Sequence, residues 1–390
     1  MAEKEISLRY GMNPHQKPAR AYVTDGVLPL RVLNGAPGFI NILDLLNGWA
    51  LVRELKAATG LAAAASFKHV SPAGAAVAVA MSSEVAVASF ADDVELTPLA
   101  TAYARARGAD RLSSFGDAVA LSDPCDQATA RFIRREVSDC VIAPGYESGA
   151  LEILKEKSGG RYLVIETDPD WTPPEIETRM VQGIVMEQPR NAFQATPEML
   201  KNIVTAKKEF NESAVRDLMV ATVALKYTQS NSVAFAYDGQ IIGLGAGQQS
   251  RVHCTRLAGA KADTWFLRQH PRILGLEFHD SVGRAERNNA IEQLLSDSQL
   301  QDDDAWKAVF TRRPDVPTAS EKSAWIARFR GVSLSSDAFF PFRDSIDRAA
   351  RSGVEFVLQP GGSVRDEGII EACNEHGMVM AISGVRLFHH

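Results

Sequence analysis

The clearest periodic pattern in the chain follows Asn41, where Ile42, Leu45, Leu46, Trp49, Val52 and Leu55 recur at helical spacing. Asn is a favourable N-cap and Asp44 adds an acidic side chain to the first turn, so the spacing predicts a helix over about 42–56. The next segment, Leu61 to Phe67, is almost wholly apolar and gives way to Lys68-His69 and then to Ser71-Pro72-Ala73-Gly74. Such a run reads as a buried strand, and the Pro and Gly beyond it as a turn, which would deliver a Lys and a His at the strand's end. Val233–Tyr237 and Ile241–Gly245 flank Asp238-Gly239, the signature of a hairpin. Near the end, Val354–Leu358, Gly361-Gly362 and Glu367–Glu375 read as strand, turn and helix. Strands alternating with helices predict an α/β fold.

The segment 292–330, with Asp302-Asp303-Asp304, reads as helical and solvated, its charge run a surface feature. Pro169 to Pro174 reads as a connector, and 390 residues exceed what one core organises, so two domains are expected, 1–180 and 181–390. Hydrophobic content of 45% against 23% charged excludes disorder over most of the length. No apolar run approaches the roughly 20 residues of a membrane span. The charged N-terminus lacks a signal-peptide pattern, and four cysteines fit a reducing cytoplasm. A net charge of -6 leaves no basic footprint for nucleic acid, so an anionic ligand would need local arginines.

Several residues could carry chemistry. Pro124-Cys125 invites comparison with zinc deaminases, but position 128 is Ala and no His-x-Glu precedes it; His253-Cys254 and His389-His390 lack partners at zinc spacing. Gly243-Leu-Gly-Ala-Gly247 brings its third glycine one residue early for a dinucleotide loop and reads as a glycine-rich strand leading to Arg251. Lys68-His69 is more suggestive: at a strand end both side chains can reach one cleft, and a nearby ammonium disfavours the imidazolium, which suits a general base. The start around Arg9-Tyr10-Gly11 and the end around Arg386 are dense in hydrogen-bonding groups where chains usually fray.

Leu8-Arg-Tyr-Gly-Met-Asn-Pro-His-Gln16, Ala65-Ser-Phe-Lys-His-Val-Ser-Pro-Ala-Gly74, Tyr103-Ala-Arg-Ala-Arg-Gly-Ala-Asp-Arg111, Lys226-Tyr-Thr-Gln-Ser-Asn-Ser232, Gly245-Ala-Gly-Gln-Gln-Ser-Arg251 and Ser336-Asp-Ala-Phe-Phe-Pro-Phe-Arg-Asp344 together resemble one family. It is the transformylase part of the bifunctional purine enzyme that pairs 5-aminoimidazole-4-carboxamide ribonucleotide (AICAR) formyltransferase with inosine monophosphate (IMP) cyclohydrolase. Because the motifs begin at Leu8, the expectation is a stand-alone transformylase, with a separate IMP cyclohydrolase as its pathway partner.

The resemblance implies two tandem cytidine-deaminase-like α/β subdomains without zinc, and a cytoplasmic homodimer with shared active sites. It implies formyl transfer from 10-formyltetrahydrofolate to AICAR, with Lys68, His69 and Asn231 catalytic. Substrate contacts would come from Arg9, Tyr10, Asn41, Asp139, Arg251, Phe339, Arg386 and His390. The folate would lie against Leu112, Ser114, Phe115, Gly116, Val252, Asn289, Pro341, Phe342 and Asp344. A structural potassium ion would sit near Leu225, Thr228, Ser230, Ser232, Asp337 and Leu387; from spacing alone that segment is equally a polar turn. The alternatives are a catalytically weak AICAR-binding or scaffolding protein, and a formyltransferase using another donor.

Overall fold

The computed structural model describes residues 4–296 and 304–390. Strands β1 (Glu5–Leu8) and β2 (Ala19–Tyr22) pair with each other apart from the main sheet, and β3 (Leu30–Asn34) leads into helix α1 (Phe39–Thr59). This helix begins earlier than the periodicity predicts. Asn41 is not its N-cap: Gly38 is, and the Asn41 side chain reaches back to accept the Gly38 N–H at 3.0 Å. The far end closes at Gly60, whose φ of 72° suits glycine and whose N–H returns to Lys56.

Strands β4 (Ala63–Lys68) and β5 (Ser71–Val77) form a hairpin. The turn expected at 71–74 lies instead at His69-Val70, and Ser71 already pairs with Lys68. Gly74 serves close packing: a Cβ there would stand 2.1 Å from the Ala106 carbonyl. The chain continues through α2 (Ser83–Ala88), α3 (Pro98–Gly108), β6 (Asp117–Leu121), α4 (Gln127–Arg135), β7 (Ser138–Ala143), α5 (Ser148–Glu156) and β8 (Leu163–Thr167). An exposed hairpin, β9 (Ile176–Val181) and β10 (Ile184–Pro189), follows the connector, so residue 180 falls within β9.

Beyond it run α6 (Glu212–Lys226), β11 (Val233–Tyr237), β12 (Gln240–Gly245), α7 (Arg251–Leu267), α8 (Pro271–Leu274), α9 (Arg284–Leu295), α10 (Ala319–Ile326), β13 (Val332–Ser336), α11 (Asp344–Ala350), β14 (Val354–Gln359), α12 (Asp366–Glu375) and β15 (Val379–Ile382). The expected hairpin at Asp238-Gly239 and the strand, turn and helix at 354–375 are present. The stretch 292–330 is only partly helical, and Phe310 within it is buried in a bridge to Phe278. Asp302 and Asp303 lie outside the described residues.

Eleven strands form one mixed sheet in the order β15-β14-β13-β11-β12-β5-β4-β6-β7-β8-β3. The same succession occurs twice: a helix (α1, α6), an antiparallel hairpin (β4–β5, β11–β12), a helix (α3, α7), then three strands linked by helices and paired in parallel. The two hairpins meet back to back through Gln240 and Ala76. Arg105 ties this seam: fully buried, it donates to Gln240 Oε1 at 2.7 Å and to Asp238 at 2.8 Å. Alternate residues of the central strands join different cores, Ala63, Ala65 and Phe67 with α1 and α6, Ala64, Val119 and Leu121 with α3 and α4. Covering on both faces explains why these strands read as unbroken apolar runs. No described helix is long and apolar enough to cross a membrane.

Candidate active site

The β4–β5 turn holds two non-glycine residues at positive φ, His69 at 53° and Val70 at 58°. Two-residue hairpin turns of this hand are usually filled by Asn and Gly, and a β-branched residue there is strained. Asp44, on α1, opposes that strain by accepting the Val70 N–H at 2.6 Å. The sequence suggested only a helix-start role for Asp44; its partner 26 residues on left no local signal.

The turn presents Lys68 and His69 to one cavity of about 280 Å³, which Arg9, Tyr10, Asn41, Asp44, Gly116 and Asp139 also line. Lys68 Nζ donates to the Gly116 carbonyl at 2.7 Å. Arg9 Nη2 donates to Asn41 Oδ1 at 3.1 Å, and its guanidinium lies 5.5 Å from the Tyr10 ring centre. Burial raises the Asp44 carboxyl, against the Val70 N–H and the charges of His69 and Lys68. Burial likewise raises Asp139, with Lys68 pulling the other way.

A second polar cluster forms where α7 begins. The buried Arg251 donates to the Ser232 carbonyl at 2.7 Å, to Asn231 Oδ1 at 2.8 Å and to Asp337. Asn231 Nδ2 donates to the Gln248 carbonyl at 2.9 Å, which leaves one amide N–H uncommitted there. The C-terminal segment is fastened to this cluster: Leu387 N–H donates to the Asp337 carbonyl at 2.9 Å, and Ser230 and His389 bond reciprocally. Arg386 lies exposed with its guanidinium 4.5 Å from the Phe388 ring centre, and the His390 carbonyl accepts from Arg179 at 2.7 Å.

The residues singled out from the sequence therefore divide. Arg9, Tyr10, Asn41, Lys68, His69, Gly116 and Asp139 share the cavity; Asn231, Arg251, Phe339, Arg386 and His390 do not line it. The two clusters border each other where the Gln229 N–H donates to Ser71 Oγ at 3.3 Å. Leu112, Phe115 and Phe342 are exposed apolar side chains, Asn289 and Asp344 are exposed, Val252 and Pro341 are half-buried. Ser114 is buried, its hydroxyl bonded to Ser66 at 2.9 Å, so only its backbone could meet a ligand. Thr228 and Ser232 donate their hydroxyl protons to the Ala224 carbonyl and to Asp337, which leaves their oxygen lone pairs able to face a cation. The four cysteines are buried and unpaired, and burial raises each thiol.

The class defined here is a mixed α/β sheet whose strand order repeats, with Lys68 and His69 at a strand end sharing one cavity with Arg9. Comparison with known proteins fits that class. Residues 1–261 match the family model described as AICARFT/IMPCHase bienzyme. The "Bifunctional purine biosynthesis protein PurH" of Roseobacter denitrificans is 31% identical over 389 residues, covering 98% of this chain and 60% of that protein. The protein of the same name from Cereibacter sphaeroides (strain ATCC 17029) is 31% identical over 390 residues, covering 98% of this chain and 59% of its own length. The chain belongs to the AICARFT/IMPCHase bienzyme family. It spans about 60% of the length of the curated relatives it matches.

Proposed function

We propose that this chain acts in purine biosynthesis by transferring the formyl group of 10-formyltetrahydrofolate to the 5-amino group of AICAR, giving formyl-AICAR. The observation that carries the reading is the single cavity shared by Lys68, His69, Arg9 and Asn41. The acceptor amine is conjugated with the imidazole carboxamide and is a weak nucleophile. As its nitrogen bonds to the formyl carbon, His69 takes the amine proton, a role worth on the order of 10² to 10⁴-fold. The proton then passes to the folate nitrogen as the old carbon–nitrogen bond breaks. Lys68 offers positive charge, and Asn231 its uncommitted amide N–H, to the developing oxyanion. Arg9 and Arg386 suit the phosphate, because a guanidinium donates two parallel hydrogen bonds. Tyr10, Asn41, Asp139, Arg251, Phe339 and His390 complete the nucleotide contacts; Arg251 would act through Asn231, whose amide it orients.

Leu112, Phe115, Phe342 and Pro341 offer apolar surface to the folate rings, beside Ser114, Gly116, Val252, Asn289 and Asp344. Leu225, Thr228, Ser230, Ser232, Asp337 and Leu387 would hold a potassium ion that fixes the Asn231 loop. The repeated strand order supports reading the chain as two cytidine-deaminase-like units that divide near residue 180, without zinc. Asn231, Arg251, Phe339, Arg386 and His390 do not line the Lys68 cavity of their own chain, which supports a homodimer whose sites draw on both subunits. Formyl-AICAR would then pass to an IMP cyclohydrolase.

The test is turnover with AICAR and the folate donor. His69→Ala should abolish it while leaving AICAR affinity within a few-fold. Arg386→Ala should weaken AICAR far more than folate, and sedimentation should find a dimer. AICAR binding without turnover in the unaltered protein would favour the scaffolding alternative, and turnover only with a different formyl source would reassign the donor.

A further inference from the structure

A buried chain of contacts runs from Asp117 through Arg107, Glu136, Arg111 and Asn288 to Arg268, at a cavity of about 310 Å³ between α2, α8 and α9 that shares no lining residue with the first. Arg268, just beyond α7, is 6% exposed and lines it. Its Nη2 donates to Asn288 Oδ1 at 2.6 Å, and Arg111 holds the same oxygen from the other side at 3.1 Å. Arg268 has no ion pair among the described residues, and none of its nitrogens is sealed from the cavity without a partner. Its remaining N–H groups therefore open onto the cavity from a fixed position.

The surrounding charge has the same sign. Arg287 also lines the cavity, with Nε spent on the Val282 carbonyl at 2.9 Å and its guanidinium 5.2 Å from the Phe278 ring centre, and it has no ion pair among the described residues. Arg135 and Arg284 share Asp93, at 2.7 and 3.9 Å. Among the described residues that line the cavity, four arginines meet two carboxylates, Asp92 and Asp93, a local surplus of positive charge in a chain whose net charge is -6. Phe90, Phe278 and Ile291 form apolar wall. Burial, with Arg111 nearby, lowers the Arg268 guanidinium to about 10 against the pull of Glu292 and Asp110, so it is still cationic at neutral pH. Glu292 and Asp110 offset part of this desolvated charge without pairing with it, and an anion in the cavity would complete the compensation.

We propose that this cavity binds a small organic anion, an aromatic or apolar body carrying a carboxylate or phosphate, with Arg268 and Arg287 as its charge-assisted donors. Calorimetric titration of the full chain with benzoate, and separately with phenyl phosphate, tests it. Saturable binding is expected, weakened about tenfold or more by Arg268→Met and by Arg287→Gln, and unchanged by Arg9→Ala in the other cavity. Whichever probe binds names the headgroup. If Arg268→Met fails to fold, Arg287→Gln combined with Arg284→Gln at the rim decides. Absence of saturable binding by both probes, affinity unchanged in the arginine variants, or loss through Arg9→Ala overturns the proposal.

Discussion

Asp44 Oδ1 accepts the Val70 backbone N–H at 2.6 Å, and this bond fastens α1 to the turn that carries His69. Both turn residues sit at positive φ, a conformation that costs of order 1–3 kcal/mol unless its surroundings enforce it. Asp44→Ala removes the acceptor and strands a partly buried donor, a loss of about 1–3 kcal/mol. The expected outcome is at least a tenfold fall in turnover with AICAR affinity within a few-fold, because the turn aims His69 and leaves Arg9 alone. Asp44→Asn keeps a carbonyl oxygen and should recover most of the loss. Turnover within twofold of the unaltered protein in Asp44→Ala would show that the turn holds its shape unaided.

Gly116 faces the same lysine from the other side. Its φ of 72° disfavours any side chain, and a Cβ would stand 3.0 Å from Lys68 Nζ and 3.5 Å from both Asp139 carboxylate oxygens. Gly116→Ala should therefore displace the ammonium, lowering turnover about tenfold and stability by about 1 kcal/mol. Parallel rate and melting measurements check it, and a stability loss without a rate loss would place the Lys68 ammonium outside the chemistry.

What could be read in advance was local. The buried strand before Lys68 and the hairpin at Asp238-Gly239 follow from apolar runs and turn residues within a few positions. The start of α1 was misjudged because Asn41 can cap from inside the first turn as well as from its edge. The turn at His69-Val70 was hidden because Pro72 and Gly74 look like turn residues, whereas Gly74 is small so that α3 can approach. Asp44 and the seam at Gln240 and Ala76 depend on partners distant in sequence. The gathering of Arg9, Asn41, Lys68 and Asp139 around one cavity likewise required the fold.

The glycine run from 243 to 247 has a structural explanation of the same kind. A Cβ on Gly243 would stand 2.1 Å from the Ala258 carbonyl, and one on Gly245 2.3 Å from that of Cys254, so α7 lies almost on the backbone of β12. Gly243→Ala must push the helix away and is expected to destabilise by about 1–3 kcal/mol. Because α7 begins at Arg251, which holds the Asn231 amide, turnover should fall with it. Denaturant unfolding beside a rate assay tests both, and unaltered stability would contradict the packing described.

Glu136 is the acidic centre of the buried network, accepting from Arg107 Nε at 3.0 Å and from Arg111 Nη2 at 2.9 Å. Burial alone would raise its carboxyl, but Arg111 and Arg107 outweigh burial and hold it below the usual 4.5. A carboxyl with a depressed folded pKa adds stability above its unfolded pKa and loses that contribution as pH falls through the folded value. Glu136→Gln keeps the shape but takes from buried Arg111 its paired carboxylate and leaves Arg107 with Asp117, a loss on the order of 3–5 kcal/mol at neutral pH. The deficit relative to the unaltered protein should be greatest from about pH 6 to 8 and should narrow as pH drops below about 4.5, where the unfolded chain takes up the proton first. Melting curves of both proteins across that range decide it: a deficit constant from pH 7 down to about pH 3 would mean that Glu136 stabilises the fold as a hydrogen-bond acceptor and not by its charge.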